Sequence, residues 1–158
     1  MQYPHVPYVR PACLKRSDCP APDNIPTCIL PRPALTLEQV RANSDVLRDH
    51  VVTIRAPLSV PIVRSTLAGC PGACCNARNG GVALNLGSAP DRFVVRLWNY
   101  RERGRFGCAG DDLLLCCGIP IDGRTVLSTG VLREIEHSDD FQLQPGWYLD
   151  DAEVCVQP

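Results

Sequence analysis

Ten cysteines in 158 residues, four of them in the adjacent pairs Cys74-Cys75 and Cys116-Cys117, constrain this chain more than any other feature. A chain this rich in thiols either cross-links itself or holds metal. Thiolate metal sites present paired Cys-x2-4-Cys knuckles; here Cys70-x3-Cys74 fits loosely, Cys108-x7-Cys116 does not, and no Cys-x-x-Cys occurs. His5, His50 and His137 are scattered and offer no His-x3-5-His spacing. Structural disulfides are therefore the favoured reading, with a zinc- or copper-binding thiolate protein as the alternative. No cofactor is expected.

The cysteines fall into an N-terminal group (Cys13, Cys19, Cys28), a central group (Cys70, Cys74, Cys75, Cys108, Cys116, Cys117) and Cys155. Three plus one and six both close in pairs, although the sequence leaves about a thousand pairings open. Adjacent Cα atoms lie about 3.8 Å apart, whereas a disulfide spans roughly 4.4–6.8 Å, and neighbours in extended backbone point to opposite faces. Each sulfur of an adjacent pair should find a different partner. The segments 70–79 and 106–118 are thus expected to be laced together at one end of the fold.

Disulfides persist in oxidising compartments, which predicts an extracytoplasmic protein: secreted, periplasmic or at the cell surface. Met1 to Pro7 lacks a basic start followed by an apolar stretch, so this reading assumes an export leader that the sequence as given does not carry. No apolar run reaches the ~20 residues of a membrane span. With 16 Lys+Arg against 17 Asp+Glu and 45% hydrophobic residues, the chain can build a core. The same balance excludes charge-driven disorder and a globally basic nucleic-acid binder.

Eight of the 15 prolines precede residue 34, which predicts an extended N-terminal arm over 1–35, strapped by disulfides. The remainder, 36–158, reads as one β-domain. Thr36-Leu37-Glu38-Gln39 forms a capping box for a single short helix, ending near Asn43-Ser44-Asp45. From Val51 the pattern turns to period two, with Val52, Ile54, Ala56 and Leu58 on one face; Pro57 and Pro61 are read as ending that strand. Further strands are expected at Val82–Leu86 after an Asn79-Gly80-Gly81 turn, at Phe93–Trp98, and over Thr125–Ile135 with a bulge at Gly130. Another is expected at Trp147–Val154, and Leu113–Cys117 reads as a strand or a loop wall. Five or six short strands avoid open edges most simply by closing into a small barrel.

Outside the cysteines, residues 92–106 combine arginine with aromatics: Arg96, Trp98, Tyr100, Arg101, Arg103, Arg105 and Phe106 are the candidate ligand-binding residues. Guanidinium groups contact anions while rings stack on flat partners. An anionic protein, a glycan or another polyanion is the expected partner; single-stranded nucleic acid is the less favoured one. An acidic C-terminal region (Glu134, Glu136, Asp139, Asp140, Asp150, Asp151, Glu153) has only Arg133 near it in sequence and lacks a calcium-loop motif. The opposed charge could orient partners or self-association. No catalytic residue is identified, and the chain is read as more a binder than an enzyme.

The segments Val51-Val52-Thr53-Ile54-Arg55-Ala56-Pro57-Leu58, Gly72-Ala73-Cys74-Cys75-Asn76, Asp122-Gly123-Arg124-Thr125-Val126 with Thr129-Gly130-Val131-Leu132, and Trp147-Tyr148-Leu149 before Cys155 carry a resemblance. Together they resemble the cysteine-rich, OB-fold-like domains of bacterial exported proteins and lipoproteins, over about residues 36–156. The resemblance implies an OB-like barrel and carries no activity with it. A more distant similarity is to netrin-like domains, some of which inhibit metalloproteinases through an N-terminal cysteine; Cys13 does not match that position. The resulting expectation is an all-β, OB-like barrel of five to six strands with one short helix and a Pro/Cys-rich arm, serving as a disulfide-stabilised binding or assembly module.

Overall fold

The computed structural model describes residues 21–29, 32–60, 80–88, 90–98, 106–110, 115–136 and 145–158. Thr36 caps the first helix as its sequence predicts: its hydroxyl accepts from the Gln39 N–H at 3.2 Å, and the Gln39 side chain returns a bond to the Thr36 N–H at 2.9 Å. Ahead of it, Leu35–Thr36 forms a short strand, β1, that the sequence pattern did not announce. Helix α1 runs Leu37–Ala42 and buries Leu37 and Val40 against the core. A second one-turn helix, α2, follows at Ser44–Leu47, so the expectation of a single helix is corrected to two. Asn43 closes the first by accepting the competition for backbone groups: its side-chain amide and its own N–H both donate to the Gln39 carbonyl.

Strand β2, Val51–Ser59, has the expected period of two, with Val52, Ile54, Ala56 and Leu58 buried. It runs through Pro57, where the sequence reading had ended it. Leu58 donates to the Arg124 carbonyl on one side, so alternation puts the Pro57 nitrogen on the other edge. That edge changes partner there, from β1 at Ile54 and Arg55 to the next barrel strand at Leu58 and Ser59. The proline therefore sits where the ladder asks for no donor.

Gly80–Gly81 is a strand, β3, and not the turn that two glycines suggested. Val82 leads into β4 (Ala83–Leu86), which pairs antiparallel with β5 (Phe93–Leu97) around the expected loop, entered through Gly87 at φ 75°. Two further strands, β6 (Gly107–Gly110) and β7 (Leu115–Cys117), form a small sheet with β3 in the order β3-β6-β7. The barrel is completed by β8 (Thr125–Ile135) and β9 (Gly146–Cys155).

The main sheet has the order β1-β2-β4-β5-β9-β8, and β8 pairs back onto β2. Five strands thus close an OB-like barrel, with β1 as an extra strand on β2. The β5–β9 pairing is parallel; the other four contacts of the ring are antiparallel. Gly130 marks the predicted bulge: the β8–β9 register shifts between Thr129 and Val131. A Cβ at Gly130 would lie 2.5 Å from the Asp150 carbonyl oxygen, so this crossing admits only glycine. Val40, Ile54, Leu84, Val95, Val126, Leu132 and Leu149 fill the interior.

Two disulfides join pairs of described residues. Cys28 joins Cys155, 127 positions later in sequence, with Cα atoms 5.0 Å apart. Cys108 joins Cys117, its partner in the β6–β7 register. Gly118 donates to the Gly107 carbonyl beyond that pair, which makes 108 and 117 a non-hydrogen-bonded pair, the closer-spaced kind that a cross-strand bridge can span. Cys116 is disulfide-bonded as well, and none of the described cysteines is free. Cys13, Cys19, Cys70, Cys74 and Cys75 lie outside the described residues, as does the proposed lacing of segment 70–79.

Candidate functional site

Strand alternation decides what the candidate site can present. Val95 and Leu97 face the core, so Arg96 and Trp98 face out. Leu149 faces the core, so Tyr148 before it faces out, and the register sets Tyr148 beside Arg96 on one side and Arg133 on the other. The Arg96 guanidinium stands 5.6 Å from the Tyr148 ring centroid. Trp98 meets the same ring edge-on, with centroids 6.0 Å apart and planes at 74°. Tyr148 is consequently only 5% exposed although it lies on the outer face.

Gly146 is the reason this stack has room. Its φ of 145° suits glycine alone, and a Cβ there would come within 3.2 Å of Arg96 Nη1. Trp98 is fixed from its backbone too: its N–H donates to the Leu149 carbonyl at 3.0 Å, and its carbonyl accepts from Ala152 at 2.7 Å.

Of the candidate residues, Arg96 and Trp98 are brought together on this face. Phe106 departs from the expectation. It is 6% exposed and belongs to the core cluster, and its carbonyl accepts from the Val82 N–H at 3.0 Å. Its ring is an internal anchor for the segment, not a contact surface. Tyr100, Arg101, Arg103 and Arg105 lie outside the described residues.

Beside this face runs a ladder of charge that sequence reading saw only in part. The turn between α2 and β2 is hydrogen-bonded to β8: Asp49 donates to the Leu132 carbonyl, and Leu132 to that of His50. Asp49 is thereby brought beside Arg133, and Arg48 beside Glu134. Arg133 Nη1 lies 3.0 Å from Asp49 and its Nε 2.9 Å from Asp150, while Arg48 pairs with Glu134 and Asp45. Arg48 also lies over the Trp147 ring, 5.5 Å from its centroid, where β8 ends and β9 begins. The Asp150 carboxylate raises the Arg133 pKa above its ordinary value, burial opposing it. The acidic C-terminal strands are thus partly neutralised by Arg48, a residue 86 positions before Glu134 whose role no local pattern could signal. Asp139 and Asp140 lie outside the described residues.

Among the described residues, no three His, Cys, Asp or Glu side chains are grouped to hold a metal ion. The five described cysteines are all engaged in disulfides, so none of them is available as a thiolate. Among the same residues, no helix is long and apolar enough to cross a membrane. Compared with known proteins, the chain matches no family model, no curated protein and no solved structure.

Proposed function

We propose that this chain is a non-catalytic binding or assembly module working outside the cytoplasm, with disulfides as its scaffold and the Arg96–Trp98 face and the adjoining 99–105 segment as its contact surface. The observation that carries this reading is how that segment is anchored. Trp98 is held to β9 by two backbone hydrogen bonds, and Phe106 is held to Val82 and sunk into the core. Between these two fixed points the sequence places Arg101, Arg103 and Arg105, and Arg96 stands on the outer face of the strand before them. Three arginines against Glu102 alone suit an anionic protein or glycan partner. In OB-like barrels the second and third strands commonly carry the contact, and β5 occupies the third place in this ring.

The extracytoplasmic location rests on the disulfides, which a reducing compartment would not keep. The test titrates a sulfated polysaccharide, an acidic peptide and a single-stranded oligonucleotide against the protein and its Arg101→Ala, Arg103→Ala, Arg105→Ala triple variant. The reading expects the polysaccharide or the peptide to bind, and the variant to bind it about tenfold or more weakly, a loss of roughly 1.4 kcal/mol. Equal binding of every probe by both proteins would refute the contact surface. Binding confined to the oligonucleotide would refute the partner class.

A further inference from the structure

Residues 21–29 lie against the barrel mostly exposed, with Cys28 alone fully buried. The buried cluster begins at Leu37, and from this segment only Ile25 packs against it, partly buried. Ile29 is 92% exposed. Three main-chain hydrogen bonds hold the segment: Asp23 N–H to the Gly118 carbonyl, Cys28 N–H to that of Val156, and Val156 N–H to that of Pro26. Thr27 and Val156 thereby make an isolated parallel bridge that extends the far end of β9. The Cys28–Cys155 bond closes the arrangement.

We propose that residues 21–29 are a thiol-controlled strap, latched by Cys28–Cys155, whose release leaves the barrel folded and uncovers the β9 edge. None of the five ring pairings uses a residue of 21–29, so the barrel does not depend on the strap for closure. What the strap covers is the end of β9: release would bare the Val156 N–H and carbonyl, an edge able to accept another strand. The Cys108–Cys117 bond differs, because it joins residues already paired in a hairpin and its opening frees no segment.

The release step is thiol–disulfide exchange with a dithiol. One thiolate of the reductant attacks a sulfur of the bridge and forms a mixed disulfide; its second thiol displaces the protein sulfur. Two electrons and two protons pass to Cys28 and Cys155, and the reductant leaves as its own disulfide.

Hydrogen exchange reads both halves of the proposal. In a Cys28→Ser, Cys155→Ser variant, and in wild-type protein treated with dithiol after folding, the amides of Asp23, Cys28 and Val156 should lose protection about tenfold or more. The Leu97 and Leu132 amides, which serve the barrel, should keep theirs. A Cys108→Ser, Cys117→Ser variant should leave the three strap amides unchanged. If the variant does not fold, the reduced wild-type protein decides. Strap amides that stay protected would show that the disulfide is no latch; barrel amides that exchange with them would show a global staple. Either result overturns the proposal.

Discussion

The guanidinium of Arg96 lies over the ring of Tyr148, its neighbour across the parallel β5–β9 pairing, 5.6 Å from the centroid. That relationship joins the scaffold to the proposed contact surface, because it holds a charged group of the face on a side chain the barrel keeps buried. A double-mutant cycle with Arg96→Ala and Tyr148→Leu should give a coupling of about 0.5–1 kcal/mol in urea unfolding. Additive losses would mean that the stack contributes nothing to stability.

Gly146 should resist substitution for two separable reasons. Gly146→Ala forces a side chain onto a φ of 145°, and crowds Arg96 Nη1. The backbone part alone should cost about 1–3 kcal/mol. Repeating the substitution in an Arg96→Ala background should recover the steric part and leave the backbone part. An equal loss in both backgrounds would deny the contact.

Gly130 and Gly123 make a sharper contrast. Gly130→Ala places a methyl 2.5 Å from the Asp150 carbonyl oxygen and 2.9 Å from Leu149 Cγ, so two paired strands must separate. A loss of about 3 kcal/mol or more is expected. Gly123→Ala meets no atom within 4 Å and bears only its left-handed φ of 76°. Its cost should stay near ~1–2 kcal/mol, and a reversed order of the two variants would contradict the described crossing.

Asp122 should titrate low. Its carboxylate takes the Arg124 Nε at 2.9 and 3.0 Å and the Arg124 N–H at 3.1 Å, and the Arg124 side-chain bonds are the main reason its pKa falls below the ordinary 3.8. Because the folded-state value is depressed, the contribution to stability is present above the unfolded pKa. It is lost as pH falls through the folded one. Asp122→Asn should therefore narrow its gap from wild type as pH drops below about 4. A chemical-shift titration placing Asp122 at or above 3.8 would contradict the pairing.

Ser128 is the one polar residue among the described positions that is fully buried in the core layer, and its hydroxyl finds no hydrogen-bond partner. Removing an unsatisfied buried hydroxyl is cheap. Ser128→Ala should leave unfolding free energy unchanged or raise it by up to about 1 kcal/mol. A loss beyond about 1 kcal/mol in urea unfolding would show that the hydroxyl is satisfied after all.

What could be read from the chain alone followed the range of the forces involved. Thr36 and Gln39 act within one helical turn, and the alternation of Val52, Ile54, Ala56 and Leu58 repeats a strand's own period, so both were legible. Gly130 betrayed its bulge because a glycine inside an apolar alternation has few other uses. Pro57 misled because its tolerance depends on which neighbouring strand stands opposite, a fact set by β1 and β4 and invisible locally. The Gly80-Gly81 strand was hidden for the same reason: it depends on β6, whose sequence carries no strand period. In the candidate site, the arginine and aromatic content of Arg96 and Trp98 was visible, but Tyr148 and Gly146, which shape the face, come from a strand some 50 residues further on. The pairing of Arg48 with Glu134 was equally beyond any local pattern.

The central claim is that the cysteines are scaffold, so that function lies on the arginine-bearing surface. Alkylation of native protein, followed by peptide mapping and elemental analysis of the same sample, tests this most directly. The account predicts no alkylated cysteine, no stoichiometric metal, and the linked peptides Cys28–Cys155 and Cys108–Cys117. Alkylated cysteines accompanied by stoichiometric zinc or copper would contradict it.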